Sequence, residues 1–218
     1  MKLAVSCATC AGVLCLRLSF AASQVETDQS RKIIDELASH LPKGEILFGT
    51  SLPATVKSAI KELVALTRER QTAGDLTDRL VLIRNMNRFL ADKGVTNATQ
   101  RDQIKRFKTA FTIDEHWPIY LNGESDLLAV APAPSYSADD PVIYKLAAVI
   151  AHERVHAQGE KSERKAIEEE IRILEVFVVR RLVELQWLTG RKATLAQIMN
   201  GHLSDEPLKV IPSRPPIF

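Results

Sequence analysis

Cysteine is almost absent from this chain. Only Cys7, Cys10 and Cys15 occur in 218 residues, and none follows position 15. Disulfides therefore do not hold the fold. Cys7-Ala8-Thr9-Cys10 has C-x-x-C spacing, but no second pair completes a metal site and no strand–helix context makes it a redox motif. Aromatic residues are scarce at 6%, which disfavours a stacking platform for single-stranded nucleic acid. An excess of one charge is lacking as well. Lys2 and Arg17 are the only charged residues in the first 22 positions, and beyond them basic and acidic residues number 27 each. Such a balance creates no field to attract nucleic acid. With 9 glycines and 10 prolines the chain is neither collagen-like nor of low complexity. No apolar run is long enough to span a bilayer comfortably.

What remains is ordinary for a soluble globular protein: 45% hydrophobic and 26% charged residues. Enough apolar surface is available to build a core, so disorder is excluded as the main state. The length suits one compact domain, or one with a small appendage. Its first residues have another texture. Lys2 precedes an apolar run from Leu3 to Leu16, and small residues Ser19 and Ala21 stand where a leader would be cut. These are the parts of a secretory signal, cleaved after Ala21 or Ala22. The alternative is a buried N-terminal helix. An export signal would remove all three cysteines with it.

The next stretch has helical periodicity. Ser30 to Leu41 places Ile33, Ile34, Leu37 and Leu41 on one face, closed by Pro42-Lys43-Gly44. Pro53 opens a second helix with Val56, Ile60, Leu63 and Val64 as its stripe. Leu76 to Lys93 reads as a third, ended by Gly94, and Thr99 to Phe111 as a fourth. Trp117 to Leu121 then reads as a strand. Asn122-Gly123 signals a hairpin turn, with Leu127 to Ala131 as the returning strand. A Pro/Ser/Asp loop runs from Pro132 to Pro141. Helices follow over Val142 to Ala157, Glu163 to Thr189 and Leu195 to Met199, before a proline-rich tail. No internal repeat is visible.

Chemistry concentrates in His152-Glu153-Arg154-Val155-His156, an H-E-x-x-H sequence. Residues four apart share a helix face, so His152 and His156 offer two imidazoles to one ion. Glu153 is rotated about 100° from His152, which puts its carboxylate beside the ion and suits a general base. The preceding residues, Leu146 to Ala151, are apolar all round, so the pair sits on a largely buried helix. Gly159 stands where that helix can stop in a left-handed cap, and Ser162 where a new one can be N-capped.

The turn matters for a third ligand. In an unbroken helix Glu163 would lie about 10 Å beyond His156 along the axis, out of reach of a shared ion. A break at Gly159 lets the chain fold back and bring Glu163 in. Two His, one carboxylate and an open water position form a known catalytic zinc arrangement. Glu168, Glu169 and Glu170 are alternative ligands, and a site with no third protein ligand is the remaining option. Glu170 shares the face of Glu163, and its main expected role is to accept a His N–H.

His152, Glu153 and His156, followed by Glu163-Arg164-Lys165-Ala166, resemble the Glu-type zincin metallopeptidases, the gluzincins. An E-x-x-A at the start of the downstream helix is similar to the third-ligand motif of CAAX prenyl endopeptidases and immunity-repressor-cleaving peptidases. The resemblance covers Trp117 to Glu170. It implies zinc, one ion per chain, on His152, His156 and Glu163, with Glu153 as base. It also implies an extended peptide or protein substrate on the strand edge before the helix.

The fold expected is α+β and mostly helical: an active-site helix, a small hairpin or sheet, and a following ligand helix. Residues 1–22 form the signal peptide, 23–112 a helical N-terminal region and 113–218 a zincin-like metal-binding domain, unless the last two are one continuous domain. The expected function is exported zinc-dependent peptide hydrolysis. The alternative is a non-catalytic exported helical interaction protein that retains the same core. No nucleic-acid partner and no membrane span in the mature chain are expected. A hydrolase of this kind needs a donor for the developing oxyanion, and spacing selects none of His116, Tyr120, Tyr136, Tyr144 and His202. His40 reads as a surface residue. Arg180 and Arg181 are expected to pair with Glu175 and Glu184.

Overall fold

The computed structural model describes residues 25, 27–67, 73–113, 116–129 and 140–206. The expected signal peptide, Tyr136, most of the Pro/Ser/Asp loop and the proline-rich tail lie outside these residues. The fold is α+β and mostly helical. Helix α1 covers residues 27–40. Strand β1 (Ile46–Phe48), a 3-10 turn (Gly49–Ser51), α2 (Ala54–Leu66) and α3 (Ala73–Thr77) follow. Next come β2 (Leu80–Ile83), α4 (Met86–Asp92), α5 (Ala98–Phe107), β3 (Ala110–Ile113), β4 (His116–Asn122) and α6 (Asp126–Ala129). Three longer helices close the described chain: α7 (Pro141–Ala157), α8 (Glu163–Val179) and α9 (Leu185–Met199).

The sheet runs in the order β1-β2-β4-β3. β1 is antiparallel to β2, β2 parallel to β4, and β4 antiparallel to β3. Alternation along the strands feeds two cores. On one face Leu80, Leu82, Ile119 and Leu121 pack with α2, α7 and α8. On the other, Val81, Ile83, Phe111 and Tyr120 pack with α1, α4 and α5. Burying these side chains is worth roughly 1.5–3 kcal/mol each.

Several expectations are corrected. The helix expected over Thr99 to Phe111 ends at Phe107, and Ala110 and Phe111 instead open β3, paired with Leu121 and Tyr120 of β4. The helix expected over Leu76 to Lys93 is α3, β2 and α4. The run Leu80-Val81-Leu82-Ile83 is buried on both faces, which a central strand requires and an amphipathic helix does not. Asn85 then starts α4 by accepting the Arg88 N–H at 3.1 Å.

The hairpin expected at Asn122-Gly123 is also corrected. The antiparallel partner of β4 is β3, which precedes it, and Leu127–Ala129 lie in α6 instead of a returning strand. Asn122 is buried and fully used. Its amide donates to the Lys105 and Lys108 carbonyls at 3.1 and 3.0 Å, and its Oδ1 accepts the Glu124 N–H at 3.0 Å. Gly123 is needed for close approach: an added Cβ would lie 2.7 Å from the Ile83 carbonyl oxygen.

Finally, the helix expected from Glu163 to Thr189 is two helices. Arg181 adopts φ of 59°, and its N–H donates to the Val178 carbonyl while that of Leu182 reaches Phe177. This satisfies the last carbonyls of α8 with arginine in the place usually taken by glycine. Glu175 pairs with Lys192 at 2.7 Å and Glu184 with Lys145 at 2.8 Å, so neither serves Arg180 or Arg181 as expected. The last helix starts ten residues before Leu195, at Leu185.

Candidate metal centre

The centre is built on α7. Pro141 occupies the first turn, where its missing N–H costs nothing, and Asp140 accepts the Val142 N–H at 2.9 Å. The helix is held on almost every side: by α2, by the sheet and by α8. Its second half carries polar groups into that setting. His152, Glu153 and His156 are 3%, 4% and 1% exposed, so each must find a partner.

The helix ends as its sequence requires. Gly159 has φ of 88°, its N–H donates to the His156 carbonyl and that of Glu160 to Val155. The chain reverses, and Ser162 caps α8 by accepting the Lys165 N–H at 3.3 Å. Glu163, the first residue of α8, now faces back onto α7. Its Oε1 lies 3.4 Å from His152 Nε2 and its Oε2 3.2 Å from His156 Nε2. One ligand atom from each of these three residues falls within 4.8 Å of the others. Glu153 sits alongside, with Oε1 4.0 Å from His152 Nε2.

The outer nitrogens are also occupied. His156 Nδ1 lies 2.7 Å from the Glu160 carbonyl oxygen. A carbonyl only accepts, so Nδ1 carries the proton. His152 Nδ1 lies 3.1 Å from Glu170 Oε2. Both rings thus turn Nε2 toward Glu163. Glu170 is completely buried, and Arg191 of α9 donates to both its oxygens, Nε to Oε1 at 2.7 Å and Nη2 to Oε2.

Burial disfavours charge on His152, but hydrogen bonds to Glu163 and Glu170 outweigh it and push the ring up to about 9. His156 is raised against the same penalty, mainly by Glu163. Burial would raise Glu163, yet the two histidines hold its carboxyl well below the usual range. Glu170 is lowered too, burial being overcome by Arg191 and His152.

The structure therefore brings together His152, Glu153, His156 and Glu163, and places Glu170 behind His152. Glu168 and Glu169 point elsewhere: Glu168 pairs with Arg164 at 2.9 Å, and Glu169 with Arg172 at 2.7 Å and Arg154 at 3.5 Å. The oxyanion candidates disperse. Tyr120 packs against Phe89 and Phe111, and Tyr144 against Phe177. His116 and His202 are exposed, as is His40.

Two contributors were not read from the sequence. Arg191 had no local signal, since it lies 21 residues from Glu170. Asp205 was likewise invisible. Its carbonyl accepts the Glu163 N–H at 2.8 Å, and its carboxylate accepts from Arg164 N–H at 2.7 Å and the Ser162 hydroxyl at 3.0 Å. Comparison with family models, curated protein sequences and solved structures finds no match to this chain.

Proposed function

We propose that this protein is a zinc-dependent peptidase of the Glu-type zincin kind, with His152, His156 and Glu163 as ligands and Glu153 as general base. One observation carries the reading: three donor atoms from α7 and α8 converge, with a fourth, buried carboxylate beside them. The donor set fits zinc. Bonds of about 2.0–2.1 Å in a tetrahedron leave roughly 3.3 Å between neighbouring ligand atoms. Here Oε2 of Glu163 lies 3.2 Å from His156 Nε2 and its other oxygen, Oε1, 3.4 Å from His152 Nε2, and one donor atom from each of the three residues lies within 4.8 Å of the others. Three protein ligands leave one position open, as catalysis needs.

Zinc, when bound, would supply Lewis acidity, polarising the scissile carbonyl and making a nearby water a better nucleophile. Glu153 would take the proton of the attacking water and return it to the departing amine. Glu170 and the Glu160 carbonyl would keep both rings oriented with Nε2 free for the ion. β3, at the sheet edge next to β4, would offer backbone groups to an extended peptide. Among the described residues no helix is long and apolar enough to cross a membrane. An export signal in residues 1–22 would place the activity outside the cytoplasm.

The test is zinc content and peptide hydrolysis by the purified protein beside Glu153→Gln. One zinc per chain in both, with hydrolysis only in the native protein, supports the enzyme. Equal behaviour of the two in every assay would favour the non-catalytic interaction protein. No zinc in the native protein, even when it is supplied, would end the enzyme reading.

A further inference from the structure

A buried carboxylate on α8 and a half-buried arginine on α9 meet behind the metal ligands, outside the H-E-x-x-H segment and its turn. Glu170 is 0% exposed and uses both oxygens. Oε1 accepts Arg191 Nε at 2.7 Å; Oε2 accepts Arg191 Nη2 and faces His152 Nδ1 at 3.1 Å. Two parallel N–H donors from one planar group fix the plane of a carboxylate, where a single donor would leave it free to rotate. That plane decides whether an Oε2 lone pair points at the His152 ring.

We propose that Arg191 is a positioning residue of the metal centre: by clamping Glu170 it orients His152, so that Nε2 is presented to Glu163 and the ion. The proposal rests on the metal-centre reading and adds to it a dependence on α9. It makes the site a three-helix construction, α7 for the histidines, α8 for Glu163 and Glu170, α9 for the clamp. Lysine cannot replace this arginine fully, because a point charge lacks the fork.

The experiment compares the full-length protein with Arg191→Met, Arg191→Lys, Glu170→Ala and the Glu170→Ala/Arg191→Met double variant. Zinc affinity is read by competition with a chelator. The His152 Nδ1–H resonance is read by NMR of metal-free, ¹⁵N-histidine-labelled protein. Arg191→Met is expected to bind zinc about 10–100-fold more weakly. It is also expected to lose the slowly exchanging Nδ1–H signal, with Arg191→Lys falling between. Once Glu170 is gone, removing Arg191 should weaken zinc no further.

A native-like resonance and affinity in Arg191→Met would overturn the proposal. So would an equal loss with and without Glu170, which would mean that Arg191 merely docks α9. Absence of zinc binding in the native protein would sink the metal-centre reading, and the resonance would still decide whether Arg191 orients His152. If Arg191→Met fails to fold by circular dichroism, Arg191→Lys decides: a native resonance and affinity there overturn the clamp.

Discussion

Glu163 Oε2 lies 3.2 Å from His156 Nε2, although in a continuous helix the two residues would be separated by about 10 Å along the axis. The reversal at Gly159 makes the contact. Nothing lies within 4 Å of a Cβ built at Gly159, so a side chain there would meet no obstacle, only the penalty of its φ of 88°. Gly159→Ala should therefore destabilise the protein by about 1–2 kcal/mol. Urea unfolding would measure this. Zinc affinity should fall in parallel, because the turn delivers the third ligand; an unchanged affinity would show that Glu163 does not depend on it.

Glu153 and Glu163 should separate in their effects. Glu163→Ala is expected to lose most bound zinc and all hydrolysis. Glu153→Gln should retain zinc and lose about 10²–10⁴ in kcat, the usual share of a general base. Metal analysis beside peptide hydrolysis tests both. Full zinc in Glu163→Ala would transfer the third position to another carboxylate.

Chelation should abolish activity, and zinc should restore it. The same treatment exposes a pH dependence in the metal-free chain. His152 moves from 6.5 to about 9 on folding, so its contribution is complete below 6.5 and is lost as pH rises through 9. Glu163 is lowered from 4.5, so its contribution is present above 4.5 and fades as pH falls. Metal-free protein should thus be most stable between about 4.5 and 6.5 from this cluster. Urea midpoints in chelator across pH 4 to 10 would check it, and a flat profile from 6.5 to 9 would contradict the His152–Glu163–Glu170 contacts.

Asp205 should matter despite its exposed position. Its carboxylate accepts the Arg164 N–H, which otherwise lacks a helical partner, and the Ser162 hydroxyl, whereas the Glu163 N–H goes to its backbone carbonyl, which substitution leaves in place. Asp205→Ala should cost about 1 kcal/mol, as loss of a cap does. Asp205→Asn should keep part of it. Thermal unfolding of the two variants would rank them, and a neutral Asp205→Ala would show that water replaces the cap.

Local signals determined the chemistry-bearing segment. Residues four apart on a helix share a face in any fold, so His152 and His156 were paired by spacing alone. Gly159 and Ser162 marked the reversal because left-handed backbone and helix capping are properties of one or two residues. The mostly helical α+β class followed from periodicity in the same way. Tertiary structure decided what periodicity leaves ambiguous. Leu80-Val81-Leu82-Ile83 became a strand because β4 and β1 lie on either side of it, and four apolar residues fit a buried helix turn as well as a strand. Asn122-Gly123 closes no hairpin because the partner of β4 had already been supplied by β3. Arg191 and Asp205 reach the site from 21 and 42 residues beyond Glu170 and Glu163, through packing of α9 and its C-terminal turn on α8. A buried carboxylate demands donors, but its own sequence neighbourhood does not say which distant residue the fold will bring to it.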